Sequence, residues 1–161
     1  MQPPPAQPKI YHITHIKNLP SILAAGRLYS DAKMIEKGGP SAMVGLNRIK
    51  QRRLELPVTC HPTAHVGEFV PFYFCPRSVM LYKIHMGNDP ELQNHGGQDS
   101  IIHLEADLYT VIKKADEKSR PWAFSLTNAG ARYTEFRNDF EQLDELDWSA
   151  ISARRGCPAR C

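Results

Sequence analysis

Residues 70–82 read Val-Pro-Phe-Tyr-Phe-Cys-Pro-Arg-Ser-Val-Met-Leu-Tyr, the densest apolar and aromatic run in the chain. Val, Phe and Tyr favour a buried strand, but Pro76 has no N–H to give a ladder and must sit at an edge, bend or bulge. The run therefore predicts a strand pair around Pro76, continuing through Leu81 to Met86. Arg77 stands beside the kink, between two halves that both seek burial. Its planar guanidinium needs an acceptor there. A bound phosphate or carboxylate would serve, and so would a backbone carbonyl or an acidic side chain of the protein itself. Both readings stay open at this point.

One domain is expected from 161 residues, 42% of them apolar. A net charge of +3 does not require a polyanionic partner but permits a local basic face. Such a face is concentrated at Arg48, Lys50, Arg52 and Arg53. Cys60, His61, His65 and Cys75 invite a metal reading, but no pair has Cys-x-x-Cys or His-x-x-x-His spacing. Cys157 and Cys161 read as free thiols in a terminal tail. Residues 1–9 read as a flexible Pro-rich leader with no secretory core, no apolar stretch reaches membrane-spanning length, and the sparse cysteines suit a reducing cytoplasm.

Ile10 to Ile16 alternates like a strand, with Ile10, His12, Thr14 and Ile16 on one side. Asn18 looks like a helix N-cap, Pro20 fits the first turn, Leu19, Ile22 and Leu23 form an apolar stripe, and Gly26 supplies the stop. Residues 30–47 read as a loop or lid with one broken helical turn, Arg48 to Leu54 as a short basic helix, and 57–68 as loop. A polar loop over 87–99 contains the turn Gly96-Gly97-Gln98. Ile101 to Leu104 reads as a buried strand, Asp107 to Lys114 as a helix, Trp122 to Ser125 as a short strand and Thr127 to Gly130 as a turn. Phe136 to Trp148 has near-helical apolar spacing. Short strands with scattered short helices point to an α+β fold.

Two clusters could carry chemistry. His12 and Thr14 share a face next to a helix start, where an imidazole and a hydroxyl can hold a ribose or an amide. The alternative is a half-buried strand with a satisfied histidine. Arg48 to Arg53 could grip phosphates, or be a solvated helix face.

These segments together resemble the DarT family, the toxins of DarT–DarG toxin–antitoxin systems. Three strings carry the resemblance: Ile10-Tyr11-His12-Ile13-Thr14-His15-Ile16 with Asn18-Leu19 and Ile22-Leu23; Ile49-Lys50-Gln51-Arg52-Arg53; and Val70 to Ser78 with Met80-Leu81-Tyr82. Gly96-Gly97-Gln98 before Ile101 to Leu104, and Leu143 to Trp148 with Ala150-Ile151, follow in order. The resemblance implies an ADP-ribosyltransferase-like fold over residues 10–154, with two small packed sheets and short helices around an NAD cleft. It implies transfer of ADP-ribose from NAD to a base in single-stranded DNA, usually thymine, and a DarG-type macrodomain antitoxin as partner. His12, Ile13 and Thr14 would contact NAD, as would Ser21 and Tyr29, where the family often has Gly and Leu. Arg53 would touch NAD and help deprotonate the thymine. Residues 30–53 would cover the NAD, and a substrate-recognising loop would begin near Ser125. DNA would run along Arg48, Lys50 and Arg52, with Arg77 as a further contact.

The resemblance also implies a catalytic glutamate in a Gln-Ala-Glu-Phe-type strand beyond Asp147-Trp148. No such string occurs in the sequence, and Thr134-Glu135-Phe136 precedes the Asp-Trp pair. The Arg-, Cys- and Pro-containing residues 155–161 read as an aberrant tail produced by frameshift or truncation. Three functions are thus set against one another. They are an NAD-dependent DNA ADP-ribosyltransferase, a non-catalytic remnant that binds NAD or single-stranded DNA, and a zinc-bound nucleic-acid module built on Cys60, His61, His65 and Cys75.

Overall fold

The strand expected near the N-terminus forms as β1 (Lys9–His15) and pairs antiparallel with β4 (Ile101–Asp107), from Lys9 opposite Asp107 to His15 opposite Ile101. The computed structural model describes residues 3–92 and 97–153. Gly96 and the tail over 155–161 lie outside the described residues, as do Met1 and Gln2. The leader ends earlier than expected. Pro8 is fully buried and its carbonyl accepts from Leu108 N–H at 2.9 Å, so the chain is already anchored before β1. On its other edge β1 meets, among the described residues, only Tyr73, through two reciprocal 2.8 Å backbone bonds with Tyr11.

A 3-10 turn (Ile16–Asn18) leads into α1 (Leu19–Ala25), which Gly26 ends in the left-handed conformation at φ 61°. The expected apolar stripe of α1 is not a core face: no residue of α1 is buried, and Leu23 is 70% exposed. The Ser30 hydroxyl accepts from Lys33 N–H and starts α2 (Asp31–Glu36); α3 (Asn47–Glu55) follows. Residues 57–68, expected as loop, instead contain the hairpin β2 (Pro57–Val58) and β3 (His61–His65), then a 3-10 turn at Val66–Glu68. The hairpin escapes sequence inspection because Val58 alone among its strand residues is buried.

The strand pair expected beyond Pro76 is not there. Tyr73 makes only the bridge to Tyr11, and Val79–Met86 is a helix, α4. Local chemistry accounts for this: the Ser78 hydroxyl accepts from Leu81 N–H as an N-cap, and Gly87 at φ 60° closes the far end. The apolar character is spent on packing Ile84 against Leu46 and Leu92. Ile101 to Leu104 does form a strand, but it is half-buried, not buried.

Asp107 accepts from Thr110 N–H and caps α5 (Leu108–Glu117), close to the expected helix. The continuous helix expected over 136–148 breaks into three pieces. β6 (Phe136–Arg137) pairs with β5 (Phe124–Ser125), a 3-10 stretch covers Phe140–Glu145, and α6 is Trp148–Ser152. Asp139 and Asp147 each turn a carboxylate back to a main-chain N–H, on Glu141 and Ala150, and so restart the chain.

The α+β class holds. Among the described residues the strands form three two-stranded ladders, where two small sheets were expected. The largest apolar cluster gathers Ile10, Leu108, Ile112, Phe124, Leu143, Leu146 and Trp148 behind β1.

The turn at Val66–Glu68 packs directly on α3, and Gly67 makes this possible. A Cβ built there would lie 2.6 Å from Leu54 Cδ2 and 3.1 Å from Leu54 Cα and N. The Leu54 side chain could move, but the helix backbone cannot without shifting α3. Gly67→Ala is expected to cost about 1–3 kcal/mol through overpacking, measured by denaturant unfolding; an unchanged midpoint would refute the close packing.

Candidate functional site

Pleating of β1 puts His12 and Thr14 on the same face as the buried Ile10. His12 is largely buried, its ring 5.7 Å from that of Phe72, and its Nδ1 lies 2.8 Å from the Pro71 carbonyl oxygen. A carbonyl can only accept, so Nδ1 carries the proton and Nε2 is left as an acceptor. Burial is the largest influence on the ring and lowers its pKa. The Pro71 bond and Asp31 push the other way, and Lys50 and Arg53 add to the lowering. The imidazole is thus kept neutral at ordinary pH, within the field of two cations.

Thr14 is buried, and its hydroxyl accepts from Asn18 Nδ2 at 3.2 Å. Asn18 precedes α1 as expected, but its side chain does not cap the helix. It clamps Ala42 instead, donating to the Ala42 carbonyl and accepting from the Ala42 N–H, both at 2.8 Å. The loop after α2 is thereby stapled to the end of β1. Ser21 is exposed, and its hydroxyl donates to the Asn18 carbonyl at 2.8 Å. The Tyr29 ring lies under the Lys37 ammonium at 5.0 Å.

Ile13 has its side chain on the opposite face of β1. Its main chain is the informative part. Tyr11 uses its N–H and C=O on Tyr73, so the polar groups of Ile13, two residues on, leave β1 by the same edge, past the end of that bridge.

Helix α3 sorts its basic residues by face. Lys50 and Arg53, three apart, turn inward to Asp31. Arg53 Nη1 is 2.9 Å from Asp31 Oδ2, Lys50 Nζ is 4.0 Å from Oδ1, and all three side chains are at most 24% exposed. Burial lowers the Lys50 pKa against the opposing pull of Asp31. Tyr73, whose hydroxyl pKa is raised by burial, bonds Ser78 and senses both Arg53 and Asp31. His12, Arg53 and Lys50 thus share one electrostatic neighbourhood. Asp31 belongs to it too, and sequence inspection missed it; the only available signal was Ser30, whose cap sets Asp31 at the start of a helix.

The four cations expected along a DNA face do not form one. Arg48 pairs with Asp89 at 2.5 Å and Glu91 at 3.4 Å, and Lys50 points inward. The Arg77 guanidinium donates to the Ala153 carbonyl, which is the structural alternative left open for it. Arg52 is exposed beside Gly130, in the loop between β5 and β6. The zinc ligands do not assemble either. Among the described residues no three His, Cys, Asp or Glu groups could hold a metal. His61 Nε2 bonds the Trp122 carbonyl, His65 pairs with Glu68, and the Cys75 thiol donates to the Arg77 carbonyl. No helix among the described residues is long and apolar enough to cross a membrane.

A hollow of about 410 Å³ lies elsewhere, between Arg120, Trp122 and Phe140. Its acidic groups are already used: Asp116 accepts from Trp122 Nε1 and Asp139 from Glu141 N–H, both near 3.0 Å. Chemically, two cations beside a neutral imidazole acceptor and a buried threonine suit a ligand that is both anionic and rich in hydroxyls.

A family model described as "DarT: ssDNA thymidine ADP-ribosyltransferase" matches residues 11–160. A DNA ADP-ribosyl transferase of Thermus sp. (strain 2.9) is 36% identical over 149 residues, covering 92% of this chain and 66% of the relative. The chain therefore spans just under two thirds of that protein's length. The structure of Thermus sp. 2.9 DarT in complex with ADP-ribosylated single-stranded DNA superposes with a TM-score of 0.77 at 32% identity, covering 96% of this chain and 68% of the other. The same protein in complex with NAD+ gives a TM-score of 0.72 at 32% identity, with 94% and 67% covered.

The buried His12 predicts a specific acid response. Above pH 6.5 the ring is neutral in folded and unfolded chains alike, and its contribution to stability is complete. Below 6.5 the unfolded chain gains a proton that the folded ring resists, so stability falls until the depressed folded value is passed. Thermal melts of His12→Gln should show a shallower loss on acidification through this range than the parent chain; equal slopes would contradict a buried neutral imidazole.

Proposed function

Because this chain belongs to the DarT family of single-stranded-DNA thymidine ADP-ribosyltransferases, we propose that it binds NAD between β1 and α3 for transfer of ADP-ribose to a DNA base. The observation that carries this is the meeting of His12 with Lys50 and Arg53 in one buried charge environment. In this reading His12 Nε2 accepts from a ribose hydroxyl. The main chain of Ile13 meets the nicotinamide carboxamide at the open edge of β1. Thr14 orders that end of the strand through Asn18, Ser21 and Tyr29 flank it, and Arg53 takes the pyrophosphate. The ribose C1′–nicotinamide N bond breaks, and neutral nicotinamide leaves with the electron pair. The thymine N–H passes its proton to solvent water as the nitrogen bonds C1′, with Arg53 stabilising the negative charge that develops on the base.

Single-stranded DNA would approach along the loop between β5 and β6, where Arg52 supplies a cation and Tyr133, 82% exposed, offers a ring for base stacking. A role as the toxin of a toxin–antitoxin pair, with a DarG-type macrodomain antitoxin and a cytoplasmic setting, belongs to the same proposal.

Two measurements test this. Calorimetry should show NAD binding that Arg53→Ala weakens at least about tenfold, the loss of one charge-assisted contact. No dependence on Arg53 would refute the placement of NAD. Incubation with NAD and a thymine-rich oligonucleotide, read by mass spectrometry, separates transfer from binding alone. For DNA, Arg52→Ala should lower oligonucleotide affinity and reduce the salt slope by about 0.7, as for one single-strand phosphate contact, whereas Arg48→Ala should change neither; the reverse order would sink the proposed path.

A further inference from the structure

Asp31 opens α2, within the segment that the NAD reading lays over the ligand, and it faces two cations across a nearly closed space. Its side chain is 15% exposed, and that of Arg53 is 14% exposed. The pairing is close but poorly directed. Oδ2 lies 2.9 Å from Arg53 Nη1, yet this oxygen is shielded from solvent and makes no aligned hydrogen bond among the described residues. Lys50 approaches the other oxygen only to 4.0 Å. A well-built structural ion pair would use the guanidinium fork on both carboxylate oxygens. Here contact is made by charge, with the directional donors left over. Such a pair offsets the desolvation of its ions poorly and is readily exchanged for a better acceptor.

The charge count agrees. Arg53 and Lys50 against Asp31 leave one positive charge beside a neutral His12. A pyrophosphate would bring two negative charges, and with Asp31 still in place the site would be over-filled with anion.

We propose that Asp31 is a built-in stand-in for the phosphates of the ligand. It holds Arg53 and Lys50 in the empty site and ties α2 to α3, and it yields both cations when a pyrophosphate enters. The inference rests on the NAD reading and adds an anion that competes with NAD for the same donors. Asp31 therefore lowers affinity for NAD while keeping two buried cations from facing each other unpaired.

The test is Asp31→Asn, which keeps the shape of the side chain and removes its charge. Calorimetry should show NAD and ADP-ribose binding about tenfold tighter than to the parent chain, about 1.4 kcal/mol, with adenosine, which lacks a pyrophosphate, unchanged. Equal or weaker binding of NAD overturns the proposal. So would an equal gain for adenosine, because the effect would then not concern phosphate. Should the single variant fail to fold, Lys50→Met with Asp31→Asn keeps the cluster at one positive charge. It must still bind NAD more tightly than Lys50→Met alone, and failure to do so is equally fatal. The gain must also vanish in an Arg53→Ala background. If Arg53→Ala by itself leaves NAD binding intact, the NAD placement falls and takes the stand-in with it. If Arg53→Ala weakens NAD but Asp31→Asn does not strengthen it, only the stand-in falls.

Discussion

The unequal pairing of β1 on its two edges governs the arrangement of this protein. One edge is fully occupied by β4, while among the described residues the other is held by Tyr73 alone. A strand secured on one side and open past a single bridge is rigid enough to aim side chains, yet still presents main-chain donors and acceptors. His12 is fixed by the segment that makes the bridge, through the Pro71 carbonyl, and Thr14 is fixed by Asn18, which also pins the loop after α2 at Ala42. Removing the bridge would loosen the edge and the imidazole together.

Charge is divided by the faces of α3. Inward, Lys50 and Arg53 meet one carboxylate in a partly dehydrated setting, where electrostatic interactions are strong and exchangeable. Outward, Arg48 is neutralised by Asp89 and Glu91, and Glu91 also accepts from Asn47 N–H at the start of the helix. Pairs that exposed are screened by solvent and contribute little, but they remove Arg48 from any phosphate track. A basic cluster that looks uniform along the chain is thus two differently paired faces once the helix is wound.

Elements with strong local signals were legible in advance. The alternation of β1, the left-handed Gly26, the basic helix before Pro57 and the helix starting near Asp107 each rest on residues within a turn or two of one another. The misreadings share a cause. Residues 79–86 are apolar enough for either a strand or a helix, and the Ser78 cap with Gly87 decided the matter. The hairpin at 57–65 carries almost no buried residue, so hydrophobic periodicity could not mark it. Over 136–148 the helical spacing of apolar residues was real, but Asp139 and Asp147 captured main-chain donors and cut it into pieces. At the site, His12 with Thr14 and, separately, the Arg48 to Arg53 cluster stood out by residue type, but they were joined only through resemblance to a family, because nothing in their spacing links residues roughly forty positions apart.

Sequence by itself determined the α+β class, the inward and outward alternation of β1, and the presence of an imidazole, a hydroxyl and a guanidinium, since these follow from residue type and short-range periodicity. Tertiary structure alone decided that Asp31 would enter the site, that Asn18 would clamp a loop and not cap a helix, and that Arg77 would be spent on a carbonyl. Those outcomes depend on which distant groups compete for the same donors and acceptors. That competition exists only once the chain has closed on itself and water has been excluded.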